Sequence, residues 1–559
     1  MLFRNRFVLL LALAALLAFV SLSLQFCECV AGLAGPGGGT DAAFVHASAQ
    51  PLTQTAPPPG FGVLKAEGST QRTFWEVDHV ELLVLDEEAR GERSEHAERQ
   101  DKPRQLGGSG AGEELGPRLL LFEVGSWHLQ LQLFVGPPEG QRDGPLLGDN
   151  QTVCFSLAGH APHHFKLVSV HVFIRHGDRY PLYVIPKTKR PEIDCTLVAN
   201  RKPYHPKLEA FVSHMSKGPG ASFESPLHSL PLYPSHQLCE MGELTQTGVV
   251  QHLQNGQLLR DVYLKKHKLL PSDWSTKQLH LETTGKSRTL QSGLALLYGF
   301  LPDFDWKKIY FRHQPSALFC SGSCYCPLRN QYLEKEQRRQ YLLRLKNMQL
   351  ERTYEEMARI VDTSSKQLRA ANPIDAMLCL FCHNVSFPCT RNGCVNMEHF
   401  KVIKRHQIED ERERQEKKLY LGYALLGAHP ILNQTVGRMR RAAEGRKEEL
   451  FALSSAHDVT LAPILSALGL TEARFPRFAA RLIFELWQDR EKPGEHSVRI
   501  LYDGVDVTFH TSFCQDHHKR SPKPMCPLEN FVRFVKRDMF VALGSGSTNY
   551  YDACHREGS

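Results

Sequence analysis

The stretch Phe165–Ile174, FKLVSVHVFI, running into Arg175-His176-Gly177-Asp178-Arg179-Tyr180-Pro181, decides the fold class. Its residues are mostly apolar and β-branched and are bounded by Gly177 and Pro181, the pattern of a buried strand that ends on an Arg-His pair. Two guanidinium groups then surround one imidazole at a strand end. Arginine offers planar, bidentate donors that do not deprotonate, which is what a phosphate dianion requires. Imidazole is largely neutral near neutral pH and can therefore act as a nucleophile. Gly177 permits a tight turn and a close backbone approach to a ligand. The competing reading is a surface Arg/His cluster; the strand leading in and the proline at the exit count against it.

Two further segments repeat the arrangement. Leu450–Ser454 reads as a strand running into Ala456-His457-Asp458, with a helical pattern from Val459 to Leu468. Gln278–Glu282 reads as a strand followed by a helix opening near Ser287-Arg288-Thr289. Three strands thus deliver polar residues at their carboxyl ends, the edge where open α/β sheets bind ligands. The expected fold over residues 160–559 is α/β, a mostly parallel sheet with helices on both faces. Residues 330–420 read as a helical cap inserted between Arg288 and His457, with amphipathic helices starting at Glu334 and over Tyr354–Val361. The run Arg405–Lys418 alternates acids and bases, so a solvated helix with i,i+4 ion pairs is expected rather than a contact for an acidic ligand.

The string Arg-His-Gly-x-Arg-x-Pro resembles the signature of the histidine acid phosphatases, a family of acid phosphatases and phytases with a phosphoglycerate mutase-like core. Related mutases share Arg-His-Gly but usually lack the following Arg-x-Pro. The resemblance implies that His176 becomes phosphorylated while Arg175 and Arg179 hold phosphate. Thr283–Ser292 is similar to the family segment that ends in Arg-Thr, implying a third phosphate-binding arginine, Arg288. Ser455-Ala456-His457-Asp458 is similar to the distal His-Asp pair, implying a phosphate contact for His457 and proton donation by Asp458. Glu240–Gly248 and Leu258–Arg260 also resemble the family between these motifs. From about His160 onward, and in the apolar N-terminal segment, the chain is similar to type II Golgi membrane enzymes of this family. Their substrate class is phosphorylated xylose in the glycosaminoglycan–protein linkage region of proteoglycan core proteins. Residues 28–159 are expected to depart from those enzymes, and they carry none of the motifs. Three alternatives stay open at this point: a catalytically inactive glycan-binding member, a mutase, and an acid phosphatase for another phosphorylated sugar, inositol or lipid.

The chain has 559 residues, 42% hydrophobic and 23% charged, ordinary values for a globular protein of two to four domains. The net charge of +7 hints weakly at an anionic partner, but no Lys/Arg-rich helix with interleaved aromatics points to nucleic acid. Residues 1–6 carry Arg4 and Arg6 ahead of the uncharged run 7–27. That length suits an uncleaved signal anchor with the rest of the chain lumenal; a cleaved signal ending near Cys29-Val30-Ala31 is the alternative. Residues 28–159, with Gly35–Gly39, Pro57–Pro59 and the charge run Asp86–Arg104, read as a stem, in which Val80–Leu85 and Leu119–Val135 are either short strands or merely sticky. Thirteen of fifteen cysteines lie beyond residue 30, and Asn150, Asn384 and Asn433 begin glycosylation sequons. The clusters Cys320/Cys324/Cys326 and Cys379/Cys382/Cys389/Cys394 therefore read as disulfides rather than zinc ligands, with connectivity open and one cysteine left over. No metal and no cofactor are expected. His517-His518-Lys519-Arg520 reads as a solvated loop, with an acidic glycan as the alternative contact, and His163-His164 as a junction.

Overall fold

A computed structural model describes residues 158–555 apart from 221–222, 224–225, 321–324, 472–474, 516–524 and 545, together with four short strands nearer the N-terminus. Those four strands form two antiparallel pairs, Phe74–Val77 with Val80–Leu83 and Phe122–Val124 with Trp127–Leu129, within a unit spanning 34–151. Three of them fall in the two apolar stretches of the stem, and Phe74–Val77 lies just ahead of the first. The apolar run 7–27, Asn150 and the His517-His518 loop lie outside the described residues. No described helix is long and apolar enough to cross a membrane.

The larger unit is built on an eight-stranded sheet. Its strands are β1 (Phe165–Arg175), β2 (Leu279–Thr284), β3 (Phe311–Gln314), β4 (Phe451–Ala456), β5 (Arg481–Asp489), β6 (His496–Tyr502), β7 (Val505–Asp506) and β8 (Cys526–Pro527). The order is β7-β6-β5-β1-β4-β2-β3, with β8 also pairing β6. Strands β1, β4, β2 and β3 run parallel, as expected. The expectation of a mostly parallel sheet is corrected on the other side of β1, where β5, β6, β7 and β8 are all antiparallel to their neighbours. Connections as short as the turn between β5 and β6 cannot make the crossover that parallel pairing requires.

Helices cover both faces of this sheet. On one, α1 (Gln246–Leu259) and α2 (Ser287–Phe300) pack against Val170, Val172, Ile174, Leu281 and Leu453. Helices α3–α6 are Pro327–Arg344, Met348–Ile360, Pro373–Cys382 and Met397–Gln415; they form the cap, and its own small core includes Met357, Ile374, Met377, Phe400 and Ile403. The 26-residue α7 (Lys418–Ala443) returns to the sheet and, with α8 (Asp458–Ala467), buries Phe173, Leu482, Phe484 and Val498 on the second face. Because helices lie on both sides, β1 is buried along almost its whole length and has no polar face to alternate with. The mixed-charge run does form a helix, α6, but its ion pairs do more than solvate it. Glu413 and Asp410 bind Arg339 (2.7 Å) and Arg344 (2.6 Å) of α3, tying two cap helices together.

Disulfides join Cys195–Cys239, Cys326–Cys554, Cys389–Cys394 and Cys514–Cys526. Cys320 is also disulfide-bonded. Cys379 and Cys382, grouped with Cys389 and Cys394 in the sequence, are thiols.

Candidate active site

The parallel strands end together, and their carboxyl edge gathers the six residues singled out in the sequence. Arg175 is the last residue of β1 and His176 follows it; Arg288 is the second residue of α2, just past β2; His457 caps α8 after β4, and Asp458 opens that helix. The backbone fixes them: His176 N–H donates to the Ala456 carbonyl (3.0 Å) and Arg175 N–H to that of Ala480 (2.9 Å). Gly177 N–H donates to Ser292 Oγ of α2 (3.0 Å). A side chain at Gly177 would meet the Gly248 carbonyl at 2.5 Å, so two glycines let the signature loop rest directly on α1.

His176 is 2% exposed. Its Nδ1 lies 2.9 Å from the Gly177 carbonyl. A carbonyl only accepts, so Nδ1 carries the proton and Nε2 keeps its lone pair. Burial, then Arg175, Arg288, Arg179 and His457, push the imidazole well below its usual range, so it stays neutral. The His457 ring stands edge-on to it, centroids 5.5 Å apart. His457 Nε2 meets Thr284 Oγ1 at 2.9 Å, and burial followed by Arg288 brings its pKa down to about 4.

The three arginines share one feature. The Nε–H of Arg175, of Arg179 and of Arg288 is buried with no hydrogen-bond partner. Arg369, Arg414 and Arg481 have the same unpartnered Nε elsewhere, but only these three converge on one neutral imidazole, a setting that suits an anion. Burial lowers Arg288 to about 10, with Arg179 adding to the effect, as expected of like charges held together. Phe478 is the platform beneath them: the Arg175 guanidinium lies 4.3 Å and that of Arg179 5.6 Å from its centroid.

Asp458 bonds Arg175 at 3.2 Å and accepts the Val459 N–H at 2.8 Å. Burial alone would raise its carboxyl, but Arg175, the Val459 amide and His457 hold it below the usual range. It is therefore a carboxylate before substrate binds.

Several contributors carry no local motif. Asp375 of α5 accepts both terminal nitrogens of Arg179, at 3.0 and 3.2 Å. His383, just past α5, meets Asp178 Oδ2 at 2.7 Å. Lys404 of α6 is brought down to about 8 by burial and then by Arg175, which places a cap cation within electrostatic reach of the site. Thr284 and Phe478 complete the set. A carboxylate at the start of a cap helix is invisible to motif reading, since only the tertiary fold brings it to the signature. Of the sequons, Asn384 is exposed beyond the end of α5, whereas Asn433 is half-buried inside α7 with its Oδ1 enclosed. His163 lies exposed before β1.

The chain matches the histidine phosphatase superfamily, branch 2, over residues 166–503. The 2-phosphoxylose phosphatase 1 of Homo sapiens is 72% identical over 558 residues, covering 100% of both chains. That of Xenopus tropicalis is 55% identical over 556 residues, covering 100% of this chain and 99% of its own. These alignments run through residues 28–159, so the stretch expected to set the chain apart aligns with the rest. Among solved structures, the apo phytase of Hafnia alvei is 16% identical, covers 67% of this chain and 97% of its own, and has a TM-score of 0.39.

Proposed function

The chain belongs to branch 2 of the histidine phosphatase superfamily, and from that premise we propose that it removes the 2-phosphate from xylose in the glycosaminoglycan–protein linkage region, with His176 as nucleophile. It is a phosphomonoesterase. The substrate follows the name of full-length relatives such as the 72% identical human protein. The observation that carries the chemistry is the neutral His176, its Nδ1–H held by the Gly177 carbonyl, among three arginines with unpartnered Nε–H donors.

In the first step the Nε2 lone pair of His176 attacks phosphorus and the P–O bond to the sugar breaks. The leaving oxygen takes a proton from Asp458, and a phosphohistidine remains. In the second step water attacks phosphorus, Asp458 takes back a proton, the P–N bond breaks and orthophosphate leaves. Arg175, Arg179 and Arg288 offset the negative charge of the transferring group, with His457 beside them. Asp458 begins as a carboxylate and must gain a proton. Phosphate supplies the reason: it draws Arg175 off Asp458, which removes the strongest stabiliser of the anion, and adds a like charge nearby.

The compartment reading is a Golgi type II membrane protein with its catalytic unit lumenal. Arg4 and Arg6 ahead of the run 7–27 support the orientation, and the disulfides of the catalytic unit fit an oxidising lumen. The deciding assay sets the lumenal portion on phosphoxylosyl linkage oligosaccharide beside phytate and lysophosphatidic acid. Preference for the oligosaccharide, lost in His176→Ala, is expected; preference for either other ester overturns the substrate, and binding without turnover leaves a lectin-like member.

A further inference from the structure

Helix α5 is fastened at both ends to two consecutive residues of the signature. In its first turn, Asp375 Oδ1 accepts Arg179 Nη2 (3.0 Å) and Oδ2 accepts Arg179 Nη1 (3.2 Å), while Oδ2 also takes the Leu182 N–H at 2.7 Å. At its far end, His383 meets Asp178 Oδ2 at 2.7 Å, and Thr245 Oγ1 donates to the same oxygen at 2.5 Å. The Asp375 link spans 196 residues and the His383 link 205. Ten residues of helix are about 15 Å long, so α5 lies as a bar across the loop that carries the nucleophile.

The consequence for Arg179 is directional. Nη1 is committed to Asp375 and to the Tyr180 carbonyl (3.0 Å), and Nη2 to Asp375. The donors this leaves are the second N–H of Nη2 and the buried, unpartnered Nε–H. A guanidinium is a rigid planar fork, so fixing its two tips fixes the direction of its third donor. Phe478 holds the plane from below.

We infer that Asp375 is a positioning residue for phosphate binding: it holds the tips of Arg179 so that the remaining Nε–H edge is presented to the phosphoryl group, and the cap thereby completes a site whose arginines and histidine pair lie at the sheet edge. This rests on the phosphatase reading of the site. It assigns to a helix of the insertion a share in binding the group common to every substrate of the enzyme, beyond any contact with the sugar.

The test is a double-mutant cycle on the folded lumenal protein, reading kcat/KM for p-nitrophenyl phosphate and inhibition by orthovanadate. Asp375→Asn keeps the size and removes the charge; Asp375→Glu keeps the charge and displaces the tips of Arg179 by one methylene. Both are expected to lower kcat/KM on the order of 10²-fold, the usual effect of ångström misplacement, and to weaken vanadate. In an Arg179→Ala background each is expected to change less than about twofold, because the group through which Asp375 acts is gone. Wild-type kinetics in Asp375→Glu, or an undiminished loss in the Arg179→Ala background, overturns the inference. If Asp375→Asn fails to fold, the Glu variant decides alone. Failure of the phosphatase reading is distinct: it shows as wild-type turnover that survives His176→Ala.

Discussion

Replacing Asp458 by Asn separates two roles of one carboxylate. As proton donor it matters only where the leaving group needs a proton. A xylose alkoxide does; a nitrophenolate leaves without one. General acid assistance is worth about 10²–10⁴-fold, or about 3–5 kcal/mol in the barrier, so turnover of the sugar phosphate should fall by that factor while the aryl ester falls little. The second role is its ion pair with Arg175 at 3.2 Å. Two unit charges at that distance attract by about 1 kcal/mol in bulk water and about 5 kcal/mol at an effective dielectric of 20. The Asp458 side chain is 23% exposed, which argues for the lower end. Phosphate must displace this contact, so the Asn variant should bind orthovanadate more tightly, by about tenfold for each 1.4 kcal/mol released. Steady-state kinetics with phosphoxyloside and p-nitrophenyl phosphate, plus vanadate inhibition, read both effects. Equal losses on the two leaving groups would refute the assignment of the proton, and unchanged vanadate affinity would refute competition for Arg175.

Acid-quenched single turnovers should yield a base-stable, acid-labile phosphoryl adduct that peptide mapping places on His176; an adduct on any other residue removes the nucleophile from that position. Stability should fall as pH drops from about 6.5 toward 4. Burial brings His171 and His252 to about 3, and burial with nearby cations brings His429 and His457 to about 4. The unfolded chain therefore binds protons over that window that the folded chain does not. Carboxylates held low, such as Glu282 at about 2, add their loss only below about pH 4.5. Thermal melts across pH 4.5–7 test this, and a flat melting temperature contradicts it. Mass spectrometry of the protein made in a secretory host should show higher glycan occupancy at exposed Asn384 than at half-buried Asn433 within α7, and the reverse order contradicts this.

Legibility followed the range of the interactions. β1, the start of α2 at Ser287 and the start of α8 after His457 could be read because strand composition and a following helix are local properties of a dozen residues. The site residues in those segments come together because the strands are parallel and end at one edge. The antiparallel half could not be read: nothing in Arg481–Asp489 states that it pairs with Phe165–Arg175, since a near-continuous apolar run fits either direction. Asp375 and His383 were missed for a stronger reason. Their partners lie about two hundred residues away, and an acid in the first turn of a helix is commonplace on dipole grounds alone. Asn433 is a valid sequon whose half-buried setting within α7 only the helix packing reveals.

The bridge between Cys326 and Cys554 has a topological consequence. It closes a ring with a sequence separation of 228. Inside the ring lie Asp375, His383, His457 and Asp458; outside it lie Arg175, His176, Arg179 and Arg288. The proposed proton donor and nucleophile thus belong to different loops of the covalent graph, brought together by the β1–β4, β1–β5 and β4–β2 pairings, the α5 contacts and the Arg175–Asp458 ion pair. On the chain-entropy account a ring of this size restricts the unfolded chain by about 5 kcal/mol. Both of its cysteines are buried, whereas Cys389 and Cys394 are exposed, so a thiol reductant meets the small cap loop well before the ring that carries Asp458.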